Sequence, residues 1–213
     1  MEKGEHFIMT EKKLTPLMYI HLGLMVLLDI MSVVVIVSLL AGTLISGSMI
    51  PAHYRMSMIL TILLNLINVI ALSAGITYIL ERYGKRAASV YKAFMLLAAV
   101  SCVFYAITAA SRMNAAEASI GAASVFLRAI LPMALKLILL LVLAFGKDLG
   151  KRNTWIVFGV ILVLDVIYSV LWIIPGEQAL VRVTTIFARL AMTGTIGLAI
   201  RGKYADKDAR GTK

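Results

Sequence analysis

The sequence predicts an all-α, polytopic membrane protein: a bundle of six transmembrane helices with N- and C-termini cytoplasmic. Three observations predict it. Six apolar runs each reach the roughly 20 residues that a helix needs to cross a hydrocarbon core. Hydrophobic residues make up 61% of the chain and mean hydropathy is +0.94, well above a soluble domain of this length. The cations are also sorted by side. One set of span ends carries Lys3, Lys12 and Lys13; Arg82, Lys85, Arg86 and Lys92; Lys147, Lys151 and Arg152; then Arg201, Lys203, Lys207, Arg210 and Lys213. The opposite loops carry Arg55 and Arg112, with Arg182 near the boundary. The positive-inside rule puts the first set, and both termini with it, in the cytoplasm.

The first span, 17–46, is long for one crossing. It is expected to tilt, or to loosen near Gly42, because Ala41-Gly42-Thr43 and Ser46-Gly47-Ser48 are weak helix formers. It exceeds a signal peptide and lacks a small-residue cleavage site, so it stays as a membrane helix. Pro51 suits the start of the second span, 54–80, where a missing N–H costs nothing. The third runs over 90–111, followed by an Ala-rich connection that either continues a helix past the membrane surface or, the favoured reading, is a plain helical hairpin. The fourth covers 123–146 and contains Pro132, whose missing donor frees the carbonyl of Arg128 and predicts a kink. The fifth covers 154–174, and Pro175-Gly176 turns the chain into the sixth, 178–201. This divides the chain into a cytoplasmic segment, 1–16, a transmembrane domain, 17–201, and a basic cytoplasmic tail, 202–213. Tyr19, Tyr54, Tyr83, Tyr91, Trp155, Trp172 and Tyr204 fall near span ends, as an interfacial aromatic belt requires.

The net charge of +10 belongs to this topology. With only short ends and loops outside the spans, no soluble basic domain exists to hold a duplex, and nucleic acid is not an expected partner. Membrane lipids are, with anionic lipids at the cytoplasmic face. The single cysteine, Cys102, forms no intramolecular disulfide. A multi-pass chain with short loops fits a cell membrane, in particular a bacterial inner membrane.

Most spans carry a charged or amide side chain near mid-depth. Asp29 is in the first, Asn65 and Asn68 in the second, Lys136 in the fourth, Asp165 in the fifth and Arg189 in the sixth; the third offers Ser101, Cys102 and Tyr105. An ionisable group at a bilayer centre costs about 2.5–3.5 kcal/mol on insertion scales, so it normally faces a partner or water. Helical spacing lines these residues up with others. The lines are His21, Met25, Asp29 and Ser32; Thr61, Asn65, Asn68 and Gly75; Ala98, Ser101, Tyr105 and Thr108; Ser124, Arg128, Pro132 and Lys136; Phe158, Asp165, Tyr168 and Trp172; and Arg182, Thr185, Arg189, Thr193 and Gly197. Six such lines converging on one axis would leave Leu, Ile and Val for lipid.

Two readings of the charges stay open. In one, Asp29 and Asp165 form structural ion pairs with Lys136 and Arg189. In the other, Asp29, Asn65, Asn68, Tyr105, Arg128, Lys136, Asp165 and Arg189 bind a polar solute or ion. Asp29 would then carry a proton, with His21 two turns away as its relay. Asn65 and Asn68 also serve as hydrogen-bonding glue between helices. Gly194, Gly197, Ala188 and Ala191 mark the sixth helix as a close-packing surface.

No metalloprotease, nucleophile-elbow or phosphate-loop motif occurs, and His6, His21 and His53 are dispersed. No metal site and no cofactor is expected, and an enzyme is the less favoured class. The stretch Gly23-Leu-Met-Val-Leu-Leu-Asp29 resembles Gly159-Val-Ile-Leu-Val-Leu-Asp165; chance within a small apolar alphabet is the simpler explanation. The expected function is a small membrane transporter, or the substrate-binding membrane subunit of one, acting on a small polar solute or ion. The alternatives are a non-transporting assembly or regulatory subunit, partnered with another membrane protein, and a lipid-modifying enzyme. In size and helix number the chain is similar to the vitamin-binding subunits of energy-coupling-factor transporters, without the Ala-x-x-x-Ala contact motif often found on their first helix.

Overall fold

The computed structural model describes residues 15–46, 51–82, 86–116, 124, 126–146, 149–171 and 179–211, and every regular element among them is helical. In chain order these are α1 (Pro16–Ser46), α2 (Ala52–Glu81), α3 (Ala87–Ala116), α4 (a π-helical turn, Phe126–Ile130, continuing as the α-helix Leu131–Phe145), α5 (Gly150–Leu171) and α6 (Ala179–Gly211). All six contain a stretch long and apolar enough to cross a membrane. The first 14 residues, Gly47-Ser48, Tyr83, Lys85, residues 117–123, Lys147, Trp172 and the Pro175-Gly176 turn lie outside the described residues.

Several boundaries differ from the sequence expectation, each for a local reason. α1 runs unbroken through Gly42 to Ser46. One helical glycine costs about 1 kcal/mol, less than unpairing backbone groups in apolar surroundings. α3 extends to Ala116, since Met113, Ala115 and Ala116 are good helix formers. α6 continues through the expected tail to Gly211, and Tyr204 anchors that extension: its hydroxyl lies 2.8 Å from Thr154 Oγ1 on α5. α5 starts early, at Gly150, whose φ of +73° lies in the left-handed region that favours glycine. In α4 the proline expectation takes a specific form. Pro132 is the second residue after the π-helical turn, in which the winding is wider than in an α-helix.

The helices pack as a ring in chain order, α1 to α6, closed by α6 against α1, and α6 also packs on α2. α6 is the most enclosed, with 61% of its apolar window buried, against 22–50% for the others. Small residues permit this. A Cβ on Gly194 would stand 2.8 Å from the His21 ring of α1, and one on Gly197 would stand 2.8 Å from the Phe158 ring of α5. Ala188 and Ala191 are buried beside them. The core is filled by Met25, Leu64, Leu72, Phe94, Met133, Leu140, Ile161 and Ile196. The outside is apolar as well: Leu27, Val37, Ile138 and Val163 are each more than half exposed. A greasy exterior around a partly polar interior suggests a multi-pass membrane protein.

Cross-helix contacts bring five helix termini to one end. Arg82 Nη1 at the end of α2 lies 3.5 Å from Met18 Sδ at the start of α1, and its guanidinium covers Gly202 of α6. The Tyr78 and Tyr91 rings join α2 to α3 with centroids 5.3 Å apart, and Thr154 of α5 meets Tyr204 of α6. This basic end carries the cation-rich segments.

A closed charge cluster as candidate functional site

Asp165 sits at the centre of the ring, fully buried, with both midplane bases on it. α4 delivers Lys136 because its buried face is Pro132, Met133, Lys136 and Leu140, a three-and-four spacing. Lys136 Nζ donates to Asp165 Oδ1 at 2.7 Å, to Oδ2 at 2.8 Å and to Thr193 Oγ1 at 3.2 Å. These three acceptors match the three ammonium donors. Thr193, one turn beyond Arg189 on α6, in turn donates to Asp165 Oδ2.

Arg189 approaches from α6. Its Nε is 3.0 Å from Asp165 Oδ1, an ion pair without hydrogen-bond alignment, since Nε has no hydrogen-bond partner. Nη2 donates to Ser169 Oγ and to the Asp165 carbonyl, 3.2 Å away. Nη1 is buried and has no hydrogen-bond partner among the described residues. The guanidinium lies against two aromatic rings, 4.3 Å from the Tyr168 centroid and 5.3 Å from that of Tyr105. Such contacts attract a cation most where water is excluded. The two rings meet edge to face, with centroids 6.3 Å apart. The Tyr168 hydroxyl donates to the Tyr105 carbonyl at 3.0 Å. The Tyr105 hydroxyl reaches the Thr185 carbonyl at 3.0 Å and Asn68 Oδ1 at 3.2 Å, tying α3 to α6 and α2. Asn68 Nδ2 has no partner among the described residues.

The structure therefore brings Asn68, Tyr105, Lys136, Asp165 and Arg189 into one network and leaves the other sequence candidates outside it. Asn65 is buried, but its Nδ2 bonds the Thr61 carbonyl of its own helix at 2.9 Å. Arg128 is exposed on the π-helical turn. The wider winding there ends the stripe it was expected to share with Pro132 and Lys136. Among the described residues Asp29 takes no base. It is half-buried between α1 and α2, Oδ2 accepts from Ser73 Oγ at 3.3 Å, and Oδ1 has no partner among those residues. The expected pairing of two acids with two bases is thus replaced by one acid holding both. His21 and Asp29 do not form a relay in this arrangement. His21 Nε2 lies 2.9 Å from Thr195 Oγ1 on α6, whereas Asp29 turns to α2.

Sequence reasoning placed Tyr168 and Thr193 on the lines of Asp165 and Arg189 without counting them as members of the site, and missed Ser169. Its signal was the same helical spacing: Ser169 is four residues after Asp165. Among the described residues no group of three or more His, Cys, Asp or Glu side chains is placed to hold a metal ion.

Comparison with known proteins brings no guide to function: no family model, curated protein or solved structure matches the chain. The chemistry must be read from the cluster. Two cations share one carboxylate, which leaves one positive charge in excess, and a buried guanidinium nitrogen has unused donors. That charge and those donors are complementary to an anionic group.

Proposed function

We propose that the protein is a small integral membrane transporter, or the substrate-binding membrane subunit of one, that holds an anionic group of a small polar solute at Arg189. The observation carrying this reading is the uncompensated positive charge of the buried cluster together with the unpartnered Nη1 of Arg189. A buried charge is costly unless paired, and an anion at Nη1 would bring both the missing charge and the missing acceptor. Guanidinium suits carboxylate and phosphate geometry, and Tyr105 and Asn68 stand beside it to meet the rest of the solute. Lys136, its three donors used by Asp165 and Thr193, acts as a fixed wall. Interrupted helices recur at membrane binding sites, and the π-helical turn ahead of Pro132 gives α4 such an interruption. By the positive-inside rule the basic end faces the cytoplasm, and the setting is a cell membrane, in bacteria the inner one.

The test is thermal unfolding of the purified protein with acetate, succinate, phosphate, sulfate, glycine and neutral glycerol. At least one anion should raise the Tm of the wild type and leave that of Arg189→Gln unchanged. A second arm uses single cysteines at Ala188 and Thr193 in a Cys102→Ser background, labelled from each side with a membrane-impermeant thiol reagent. The reading fails when no anion stabilises the protein and neither cysteine reacts.

A second reading, a non-transporting assembly or regulatory subunit, has its own supporting observation. Asp29 and Ser73 form a polar pair at the rim of the bundle, on a surface that is otherwise apolar. A neighbouring membrane helix would cover that pair. Stable co-migration with another membrane protein that is lost in Asp29→Asn would favour it.

A further inference from the structure

A separate feature lies at the basic end. Residues of α2 to α6 line an open-mouthed cavity of about 590 Å³, within the range of small-molecule sites, about 300–1,000 Å³. Leu143 and Ile200 give it apolar walls, Tyr78 and Tyr91 an aromatic side, and Thr154 and Lys203 polar lining. Its lining includes Ala87, Gly146, Leu149 and Lys203, which fall at the limits of four apolar spans. In a bilayer that is the headgroup level, and the walls toward Leu143 and Ile200 lead into the apolar layer. Among the described residues up to Tyr204, this end carries Arg82, Arg86, Lys92, Lys151, Arg152, Arg201 and Lys203 against one acid, Glu81.

We propose that this cavity is a binding site for one anionic phospholipid, with its phosphate at Lys203 and an acyl chain between Leu143 and Ile200. The charge at this end selects an acidic headgroup, and the apolar walls select a lipid over a soluble phosphate. The site does not depend on the carrier reading and is distinct from the central cluster; it rests only on placement of the bundle in a membrane.

The experiment is native mass spectrometry of the full-length protein in mild detergent, mixed with equal amounts of phosphatidylglycerol and phosphatidylcholine. The phosphatidylglycerol adduct should dominate at one copy per chain and survive millimolar inorganic phosphate. Lys203→Gln should cut that preference about fivefold, the effect of one cation near an anionic headgroup. Ala88→Trp, which adds bulk to the cavity lining, should reduce both adducts. Unfolding temperatures show that each variant is folded. Equal retention of the two lipids by the wild type overturns the proposal with no variant needed. Displacement of phosphatidylglycerol by phosphate also overturns it, assigning the cavity to a soluble phosphoryl group. So does a wild-type preference in both folded variants.

Discussion

Asp29 and Asp165 close two similar stretches, Gly23 to Asp29 and Gly159 to Asp165, yet they end in opposite surroundings. Asp165 is fully buried and receives Lys136, Thr193 and Arg189. Asp29 sits half-buried at the rim with one serine. Two differences decide this. The first is rotation. On α5 the buried line is Ile161, Asp165 and Tyr168, with the acid at its centre; on α1 it is Met25, Leu28, Ser32 and Val35, and Asp29 falls one residue, about 100° of helix, beyond Leu28. The second is company. α5 packs between α4 and α6, which supply the bases, whereas α2 offers Asp29 only Ser73. The same residue type is therefore a fully buried acid with both bases on it in one helix and a half-met polar group in the other.

The largest expected effect breaks the anchor. Asp165→Asn leaves two buried cations without a carboxylate, and removing one partner of a buried ion pair costs about 3–5 kcal/mol. The variant should lose a large part of its resistance to thermal unfolding in detergent. A stability within about 1 kcal/mol of wild type would mean that the cluster is solvated and contributes little. The double variant Asp165→Asn with Lys136→Met restores the original charge balance and should recover at least half of the loss. Failure to recover would shift the anchoring role from Lys136 to Arg189.

A smaller effect tests the aromatic wall. Tyr168→Phe keeps the ring over Arg189 and removes only the hydroxyl that donates to the Tyr105 carbonyl. The loss should be about 0.5–1.5 kcal/mol in unfolding free energy, the net value of one buried hydrogen bond. Tyr168→Leu also removes the ring and should cost more, since a close cation–π contact in a desolvated setting reaches about 2 kcal/mol. Equal losses in the two variants would show that the ring face does nothing for the guanidinium.

These contrasts also show what was legible in the sequence. The six helices, their order and the polar layer at mid-depth follow from length, hydropathy and helical spacing. The lines Thr61, Asn65, Asn68, Gly75 and Ala98, Ser101, Tyr105, Thr108 are buried throughout, because α2 and α3 keep regular winding across them. Arg128 escaped its line because a π-helical turn upstream of Pro132 changes the winding, and spacing alone assumes a uniform helix. Which acid takes the bases was not legible either. That choice depends on a rotation of one residue and on which helices become neighbours, and both are properties of the packed bundle.

The smallest expected effect completes the comparison. Asp29→Asn keeps the shape of the side chain, loses no ion pair found among the described residues and retains an oxygen that can accept from Ser73. Its unfolding free energy should stay within about 1 kcal/mol of wild type, and Ser73→Ala should cost about 0.6 kcal/mol, the average for a hydrogen bond between membrane helices. In the Asp29→Asn background Ser73→Ala should still cost about 0.6 kcal/mol, because the amide keeps the oxygen that accepts from the serine. A loss in Asp29→Asn that approaches that of Asp165→Asn would place Asp29 among the groups holding the bundle together and would end the distinction between anchor and rim. A near-neutral Asp29→Asn keeps the distinction, and it frees this carboxyl for whatever meets the outer face of α1 and α2 in the membrane.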